Sequence, residues 1–242
     1  MSEADLVIEN YQSLAARIAA GANQAGRDPR DVRLVAVSKG QAAARIQILI
    51  EHLNHLGEVP ILGESYVQEW REKKGALLGQ YQVHGIGALQ SNKVREAVQL
   101  FDVLEGVGSE KTARLIDSES RKQEKISTVF LQVNVSADPR KKGFSESDLR
   151  RFVGTELGGL LHLRLQGLMT IPRNYANKEE VRADYARLRR LRDEIVQLRS
   201  RSVTGHPDRL ELSMGMSDDF EIAVAEGATL VRIGTALFGE RG

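Results

Sequence analysis

Two glycine-bearing turns near the end of the chain carry residues that are suited to holding an oxyanion. The first turn is the stretch SMGMS at 213–217, which includes Met214, and the second begins with Gly234 and Thr235 after the β-rich stretch 229–233. Small and hydroxyl residues allow backbone amides to approach an anion closely. The two turns therefore predict a phosphate pocket, although two packed βα units with no ligand would also produce this pattern.

Ser217 stands where the N-cap of the next helix is expected, because acidic residues follow it in the first turn. Gly227 stands where that helix would end, in the position that commonly takes a left-handed conformation. We therefore predict a short helix between Ser217 and Gly227.

Arg232 lies inside the last apolar stretch, flanked by Val231 and Ile233. A guanidinium in a strand that is buried on both faces is costly unless an acceptor or an anion pairs with it. Arg232 is therefore expected either to form a salt bridge with a neighbouring residue or to face the predicted anion.

Lys39 follows the first predicted strand, and Val35, Val37 and Lys39 fall on alternate positions that share one face. A lysine amine among apolar walls and other cations loses its proton more easily, and the neutral amine attacks carbonyls to form a Schiff base. By itself, a lysine at a strand end more often points to solvent. Together with the phosphate turns and Arg232, it suits pyridoxal 5′-phosphate, which has an aldehyde, a phosphate and a ring nitrogen.

Apolar stretches alternate with helical patterns along the chain, which is typical of parallel βαβ units. Eight strands are predicted, at 33–37, 59–62, 81–86, 103–104, 127–134, 161–169, 210–212 and 229–233. This favours an α/β fold with a single (β/α)8 TIM-type barrel, in which residues just past the strand ends meet at one mouth. A doubly wound open sheet is the alternative. Residues 1–242 are predicted to form one barrel domain, and an N-terminal helix is predicted at 6–20.

The composition narrows the function classes. Of 242 residues, 34 are basic and 33 acidic, so the net charge of +1 argues against a dedicated nucleic-acid surface. The chain contains no cysteine, which excludes disulfides and thiolate metal sites. His52 and His55 lie three residues apart without a third ligand nearby, so no metal site is expected. The N-terminus resembles no signal peptide and no stretch is long enough to span a membrane, so we expect a cytoplasmic protein with no membrane partner.

Six motifs resemble the pyridoxal phosphate homeostasis proteins, which are single-barrel relatives of the N-terminal domain of alanine racemases. They are AVSK at 36–39, GESYVQE at 63–69, HGIGALQSNK at 84–93, GLMTIP at 167–172, LSMGMSDD at 212–219 and VRIGTALFG at 231–239. The motifs run in family order over nearly the whole chain, and the last two are the most specific.

The resemblance implies that Lys39 forms the Schiff base, that Ser217, Gly234 and Thr235 hold the phosphate, and that Arg232 faces the pyridine nitrogen. An always-charged guanidinium there disfavours protonation of that nitrogen. The predicted cofactor-binding residues, none of them assigned a catalytic role, are Lys39, Ser65, His84, Met214, Ser217, Arg232, Gly234 and Thr235.

Two positions depart from the family pattern. The family usually has Asn in place of Ser65 and an aromatic residue in place of Gly85. A shorter Ser65 is expected to lose a contact to the cofactor ring, with water as the replacement, and Gly85 is expected to remove part of a pocket wall.

Alanine racemases carry a further domain that supplies a tyrosine opposite the lysine, whereas this sequence stops directly after the eighth unit. Since racemisation needs an acid/base group on each face of the substrate carbon, efficient turnover is not expected. The resemblance implies a protein that holds, buffers and delivers pyridoxal phosphate, with apoenzymes that need this cofactor as its recipients. We expect a monomer. A small amino-acid racemase is the alternative function, and a phosphate-binding barrel for another metabolite is a third.

Overall fold

The computed structural model describes residues 2–200 and 209–240, and within them eight parallel strands form a closed barrel. Each strand pairs with the next along the chain, and the last pairs with the first through the registers Val35–Arg232 and Ala36–Ile233. The strands are β1 Arg33–Val37, β2 Ile61–Glu64, β3 Gln82–Gly85, β4 Val103–Val107, β5 Ser127–Gln132, β6 Leu163–Met169, β7 Glu211–Ser213 and β8 Leu230–Ile233. The predicted (β/α)8 barrel is confirmed.

Helices connect the strands, because neighbouring parallel strands need a crossover connection, which is usually a helix. They are α1 Glu3–Gln24, α2 Ala43–His55, α3 Val67–Lys73, α4 Val94–Leu100, α5 Glu110–Lys122, α6 Glu146–Thr155, α7 Lys178–Ser200, α8 Phe220–Ala225 and α9 Thr235–Phe238. In the described part of the chain, no helix has an apolar run long enough to cross a bilayer.

Helix α1 precedes the barrel and is longer than the predicted 6–20. A capping box begins it: the Ser2 hydroxyl accepts from the Asp5 amide at 3.1 Å, and the Asp5 carboxylate accepts from the Ser2 amide at 2.8 Å. Its buried face, which includes Leu14 and Ile18, packs against α2, α8 and α9. The helix therefore supports the part of the wall made by the first and last strands.

The strands bury both faces, because side chains alternate between the barrel interior and the layer beneath the helices. In β8, Leu230 belongs to the interior cluster with Phe130, whereas Val231 and Ile233 belong to the outer layer. Burying a side chain such as Phe130 contributes about 1.5 to 3 kcal/mol. Because Arg232 alternates with Val231 and Ile233, it shares the inward face with Leu230.

The chain just past β2, the chain just past β3 and the last part of β4 pass very close to each other. A Cβ atom added to Gly106 would lie 2.0 Å from the Gly87 carbonyl oxygen, and one added to Gly87 would lie 2.2 Å from the Ser65 carbonyl oxygen. The register between β4 and β5 also shifts between Leu104 and Val107. The two close backbone approaches require glycine at positions 87 and 106.

Candidate functional site

A cavity of about 260 Å³ lies at the mouth of the barrel where the strands end. Six of the eight predicted site residues line it, from the segments at or just past the ends of β1, β2, β7 and β8: Lys39, Ser65, Ser217, Arg232, Gly234 and Thr235. The structure therefore brings the lysine, the arginine and the hydroxyl residues predicted for the site to a single cavity.

A larger cavity of about 380 Å³ lies near the opposite end of the barrel, between α1, α2 and the beginnings of β1 and β2. Its lining is mostly apolar and includes Ile18, Leu49 and Leu53. Size alone does not select a functional site, and ligand sites in this fold form at the carboxyl ends of the strands. The smaller cavity is therefore the candidate site.

The corner formed by the turn after β7 and the start of α9 is the predicted phosphate site. Gly234 is the N-cap of α9, and a Cβ atom there would lie 3.3 Å from the Val37 Cβ, so the ends of β1 and β8 approach closely. The first amides of a helix have no carbonyl partner within the helix, which makes such a corner favourable for an anion. Ser217 and Thr235 line the same cavity.

Ser217 is not a helix N-cap, and that prediction is wrong. Gly215, with φ of +97°, turns the chain, and α8 then begins at Phe220 with Asp219 as its N-cap. The Asp219 carboxylate accepts from the Met216 amide at 2.7 Å, which orders the turn and leaves Ser217 on the cavity lining. Gly227 follows the helix with φ of +100°, as predicted.

Arg232 is 4% exposed and has two neutral acceptors. Its Nη1 donates to the Ser213 hydroxyl at 2.6 Å, and its Nη2 donates to the Thr170 carbonyl at 2.7 Å. These two bonds fix the plane of the guanidinium while it also lines the cavity. The predicted need for acceptors is met without a direct salt bridge to any described residue.

A carboxylate that the sequence reasoning missed supplies the opposite charge. Glu105 in β4 is fully buried, and one of its oxygens accepts from the Ser213 hydroxyl at 2.5 Å. The other oxygen lies 2.6 Å from His84 Nδ1. We call Glu105, His84, Ser213 and Arg232 the barrel cluster. Through Ser213, it joins a buried carboxylate to the guanidinium at the cavity.

The barrel cluster keeps Glu105 ionised. Burial by itself raises the pKa of Glu105, but the hydrogen bond and charge of His84, the charge of Arg232 and the hydrogen bond from Ser213 outweigh it. The pKa of this carboxyl therefore lies below its ordinary value. The positive charge of Arg232 thus faces the cavity with a fixed negative charge behind it.

The strand prediction explains why Glu105 was missed. The predicted strand ended at Leu104, because Glu105 and Gly106 interrupt the apolar run, whereas β4 continues to Val107. Val103 faces the interior, and alternation places the residue two positions later on the same face. That spacing was the signal that could have identified Glu105 as an interior carboxylate.

His84 and Met214 do not line the cavity. His84 is 1% exposed inside the barrel, where its Nδ1 contacts Glu105 and its Nε2 has no hydrogen-bond partner among the described residues. Met214 is buried in the outer layer, and Met216, two positions later, lines the cavity instead. His84 is therefore linked to the cavity indirectly, through the hydrogen bonds that join Glu105, Ser213 and Arg232.

Gly85 does not shape the cavity wall, so that expectation is wrong. A Cβ atom at this position would lie 2.8 Å from Phe101 Cδ2, and Phe101 belongs to the outer layer. Alternation along β3 sends His84 and Ile86 inward and Gly85 outward, so a side chain at 85 would meet Phe101 and not the ligand.

A groove of about 640 Å³ adjoins the cavity and shares Lys39 and Ser65 with it. Tyr66, which is 64% exposed, and Lys93 also line the groove. Lys39 therefore lies at the boundary between the cavity and the groove.

Across residues 2–200 and 209–240, no three His, Asp or Glu side chains gather at metal-binding distance.

Comparison with known proteins gives consistent matches along the chain. Residues 10–242 match the family model described as alanine racemase, N-terminal domain. A pyridoxal phosphate homeostasis protein from Pseudomonas aeruginosa is 39% identical over 97% of this chain and 96% of its own length. One from Aquifex aeolicus is 35% identical, over 96% and 97% of the two chains.

Solved structures agree with these matches. The structure of PipY from Synechococcus elongatus PCC7942 with PLP bound is 35% identical, with a TM-score of 0.76 over 93% of this chain and 99% of that one. Alanine racemase from Bartonella henselae, at 15% identity and a TM-score of 0.69, covers 98% of this chain and 59% of that one, and supports the fold alone. From these matches, the chain belongs to the pyridoxal phosphate homeostasis protein family, within the wider alanine racemase N-terminal domain family.

Proposed function

We propose that this protein binds pyridoxal 5′-phosphate in the strand-end cavity through a Schiff base with Lys39, and holds, buffers and delivers it. The observation that carries the proposal is that Lys39, Arg232 and the Ser217–Thr235 corner line one cavity. The names of the relatives support the same cofactor, since two are pyridoxal phosphate homeostasis proteins and PipY was solved with PLP bound.

The cavity residues fit the three functional groups of this cofactor. The Lys39 amine suits the aldehyde, the hydroxyls and backbone of Ser217, Gly234 and Thr235 suit the phosphate, and Arg232 suits the ring nitrogen. When bound, the cofactor supplies an electrophilic carbon and an electron-withdrawing ring. Because a guanidinium stays protonated, Arg232 does not donate a proton to the ring nitrogen, and the ring remains a weak electron sink.

Two positions bear on the choice between a carrier and a racemase. His84 is buried and bonded to Glu105, away from the cavity lining, so it does not serve as a second acid/base group. Tyr66 lies on the adjoining groove and is 64% exposed. Since two-base racemisation needs a group opposite the lysine, this arrangement favours holding over turnover.

The proposal extends to the setting in which the protein acts. Residues 1–242 are taken as one cofactor-binding domain that acts as a monomer in the cytoplasm and passes the cofactor to apoenzymes that require it. To test delivery, the loaded protein and such an apoenzyme are placed on opposite sides of a membrane that retains proteins. The gain of activity by the apoenzyme is then followed.

Absorbance spectroscopy tests the Schiff base. Purified protein mixed with pyridoxal 5′-phosphate is expected to show the visible band of a protonated Schiff base, and borohydride reduction followed by peptide mass spectrometry should place the label on Lys39. Lys39→Ala should abolish the band, whereas Lys93→Ala, which removes a lysine of the groove, should retain it. A label on another lysine, or a band that survives in Lys39→Ala, would overturn the proposal.

Measuring the optical activity of L-alanine and other amino acids with the loaded protein tests the alternative. We expect no change within the time in which a racemase would bring the sample to equilibrium. Turnover that disappears in Lys39→Ala would establish the racemase instead.

A further inference from the structure

Lys73, at the end of α3, joins three parts of the chain beneath the loop that carries Lys39. Its side chain is 8% exposed, and its ammonium donates to the Ser38 carbonyl at 2.8 Å, to Glu69 at 2.7 Å and to Glu64 at 3.1 Å. A lysine ammonium has three donors, so these three oxygens use all of them. The end of β1, the end of β2 and α3 are tied together at one atom.

The two carboxylates extend these ties to both sides of Lys39. Glu69 accepts from the Gly40 amide at 2.6 Å, and Glu64 accepts from the Ser38 hydroxyl at 3.2 Å. The residues before and after Lys39 are therefore each held by the same group of side chains. We call Lys73, Glu64 and Glu69 the loop cluster.

Glu64 also holds the second residue shared by the cavity and the groove. It ends β2, is fully buried, and accepts from the Ser65 amide at 2.8 Å. Lys39 and Ser65 form the boundary between the two spaces. The loop cluster thus fixes the backbone on both sides of that boundary.

The composition of the loop cluster is not what stability alone would select. Two carboxylates share one ammonium, and burial raises the pKa of Glu64 even though the charge of Lys73 opposes part of that shift. Buried ion pairs often give no more stability than apolar residues of the same volume. Because burying these charges has a desolvation cost, their presence indicates that they are needed to fix the geometry of the backbone they contact.

We propose that the loop cluster is a positioning group that directs the Lys39 amine into the strand-end cavity rather than into the adjoining groove. Lys39 lines both spaces, so the direction of its backbone determines which one its amine enters. The cluster fixes that direction through Ser38 on one side and Gly40 on the other. This inference rests on the proposed Schiff base at Lys39.

The test compares Lys73→Met and Glu69→Ala with the wild type in stopped-flow mixing with pyridoxal 5′-phosphate. Because misplacement of reacting groups by about 1 Å slows reactions by up to about 100-fold, we expect the visible band to form at least about tenfold more slowly in both variants. Affinity for pyridoxamine 5′-phosphate, which has the phosphate and ring but no aldehyde, should change less than about twofold, because it does not depend on the lysine. Lys73→Arg should restore part of the rate.

Arg71→Met is the matched control. It removes a cation from the same helix, but Arg71 is 52% exposed and pairs with Glu96 on the surface at 3.0 Å. Its rate should equal that of the wild type. If Lys73→Met does not fold, as judged by its unfolding transition, Glu69→Ala decides the question.

The outcomes separate this inference from the proposed function. If the wild type forms no bond at Lys39, the proposed function fails and the loop cluster has no reaction to serve. If the wild type forms the bond and the folded variants form it at the same rate, the loop cluster is structural and this inference alone is overturned. An equal loss of pyridoxamine 5′-phosphate binding would also overturn it, because the defect would then lie in the whole cavity.

Discussion

Two groups of buried charges flank the same cavity, and they are built differently. In the loop cluster, Lys73 contacts both carboxylates and the Ser38 backbone directly. In the barrel cluster, the Ser213 hydroxyl stands between Glu105 and Arg232 and bonds to each. The first group holds a segment of backbone, whereas the second orients one charge towards the cavity.

The difference follows from where each group lies in the fold. Arg232 and Glu105 are on strands, whose paired backbones already fix the positions of their side chains. Lys39 is on a loop, and a loop has no ladder of hydrogen bonds to fix it. The loop that carries Lys39 therefore needs additional hydrogen bonds to fix its backbone. Arg232, whose backbone is already fixed by its strand, needs only a nearby opposite charge.

The largest expected effect is on the barrel cluster. Glu105→Ala leaves His84 and Ser213 without their buried partner and Arg232 without the nearby carboxylate, and removing one member of a group of buried charges costs about 3 to 5 kcal/mol. Urea denaturation measures the loss in free energy of unfolding. Glu179→Ala serves as the control, because Glu179 is 75% exposed in a surface pair with Arg182, where less than about 1 kcal/mol is expected. Equal losses in the two variants would mean that the barrel cluster does not depend on a buried charge at Glu105.

A smaller effect on stability is expected in the loop cluster. Glu64→Gln keeps an oxygen acceptor for the Ser65 amide and removes one of two carboxylates that share Lys73, so the free energy of unfolding should change by about 1 kcal/mol or less. The rate of Schiff base formation should nevertheless fall. A large loss of stability without a change in rate would reverse the roles assigned to the two clusters.

The smallest effect is the pH dependence, and its sign differs between the clusters. The folded pKa of Glu105 is lowered, so its contribution to stability is present above the ordinary value of 4.5 and is lost as the pH falls through the folded pKa. The folded pKa of Glu64 is raised by burial, so its contribution is complete below 4.5 and is lost as the pH rises through the folded pKa.

Urea midpoints measured at decreasing pH, from above the ordinary carboxyl value of 4.5 to below it, test these signs, because the Glu64 change lies above that value and the Glu105 change below it. On acidification, the wild type should lose stability relative to Glu105→Gln and gain stability relative to Glu64→Gln. Parallel curves for the wild type and either variant would show that the carboxylate in question does not titrate as its surroundings require.

The sequence allowed most of the fold and much of the cavity to be predicted, for physical reasons. Apolar strands alternating with helices leave few topologies other than a barrel, and strand ends of a barrel meet at one mouth. That rule located Lys39 and Ser65, and the cost of a buried guanidinium identified Arg232.

The failures concern contacts that local patterns do not contain. Lys73 has the pattern of a solvated lysine at a helix end, and only the packing of α3 against the ends of β1 and β2 buries its ammonium. Met216 lines the cavity where Met214 was predicted, because Gly215, with its positive φ, turns the chain between them. Glu105 lay just past a strand that was predicted too short.

The close approach of the main chain at Gly87, just past β3, and Gly106, within β4, limits how this protein can diversify. Since any side chain at either position would collide with backbone oxygen atoms, the main-chain path at the ends of β2, β3 and β4 depends on these two glycines, and variation on this flank is confined to side chains such as Ser65 and Ile86. Ile171 and Met216 also line the cavity, and neither is a glycine held against a neighbouring backbone. Efforts to retune ligand preference, by selection or by design, should therefore begin with those two residues.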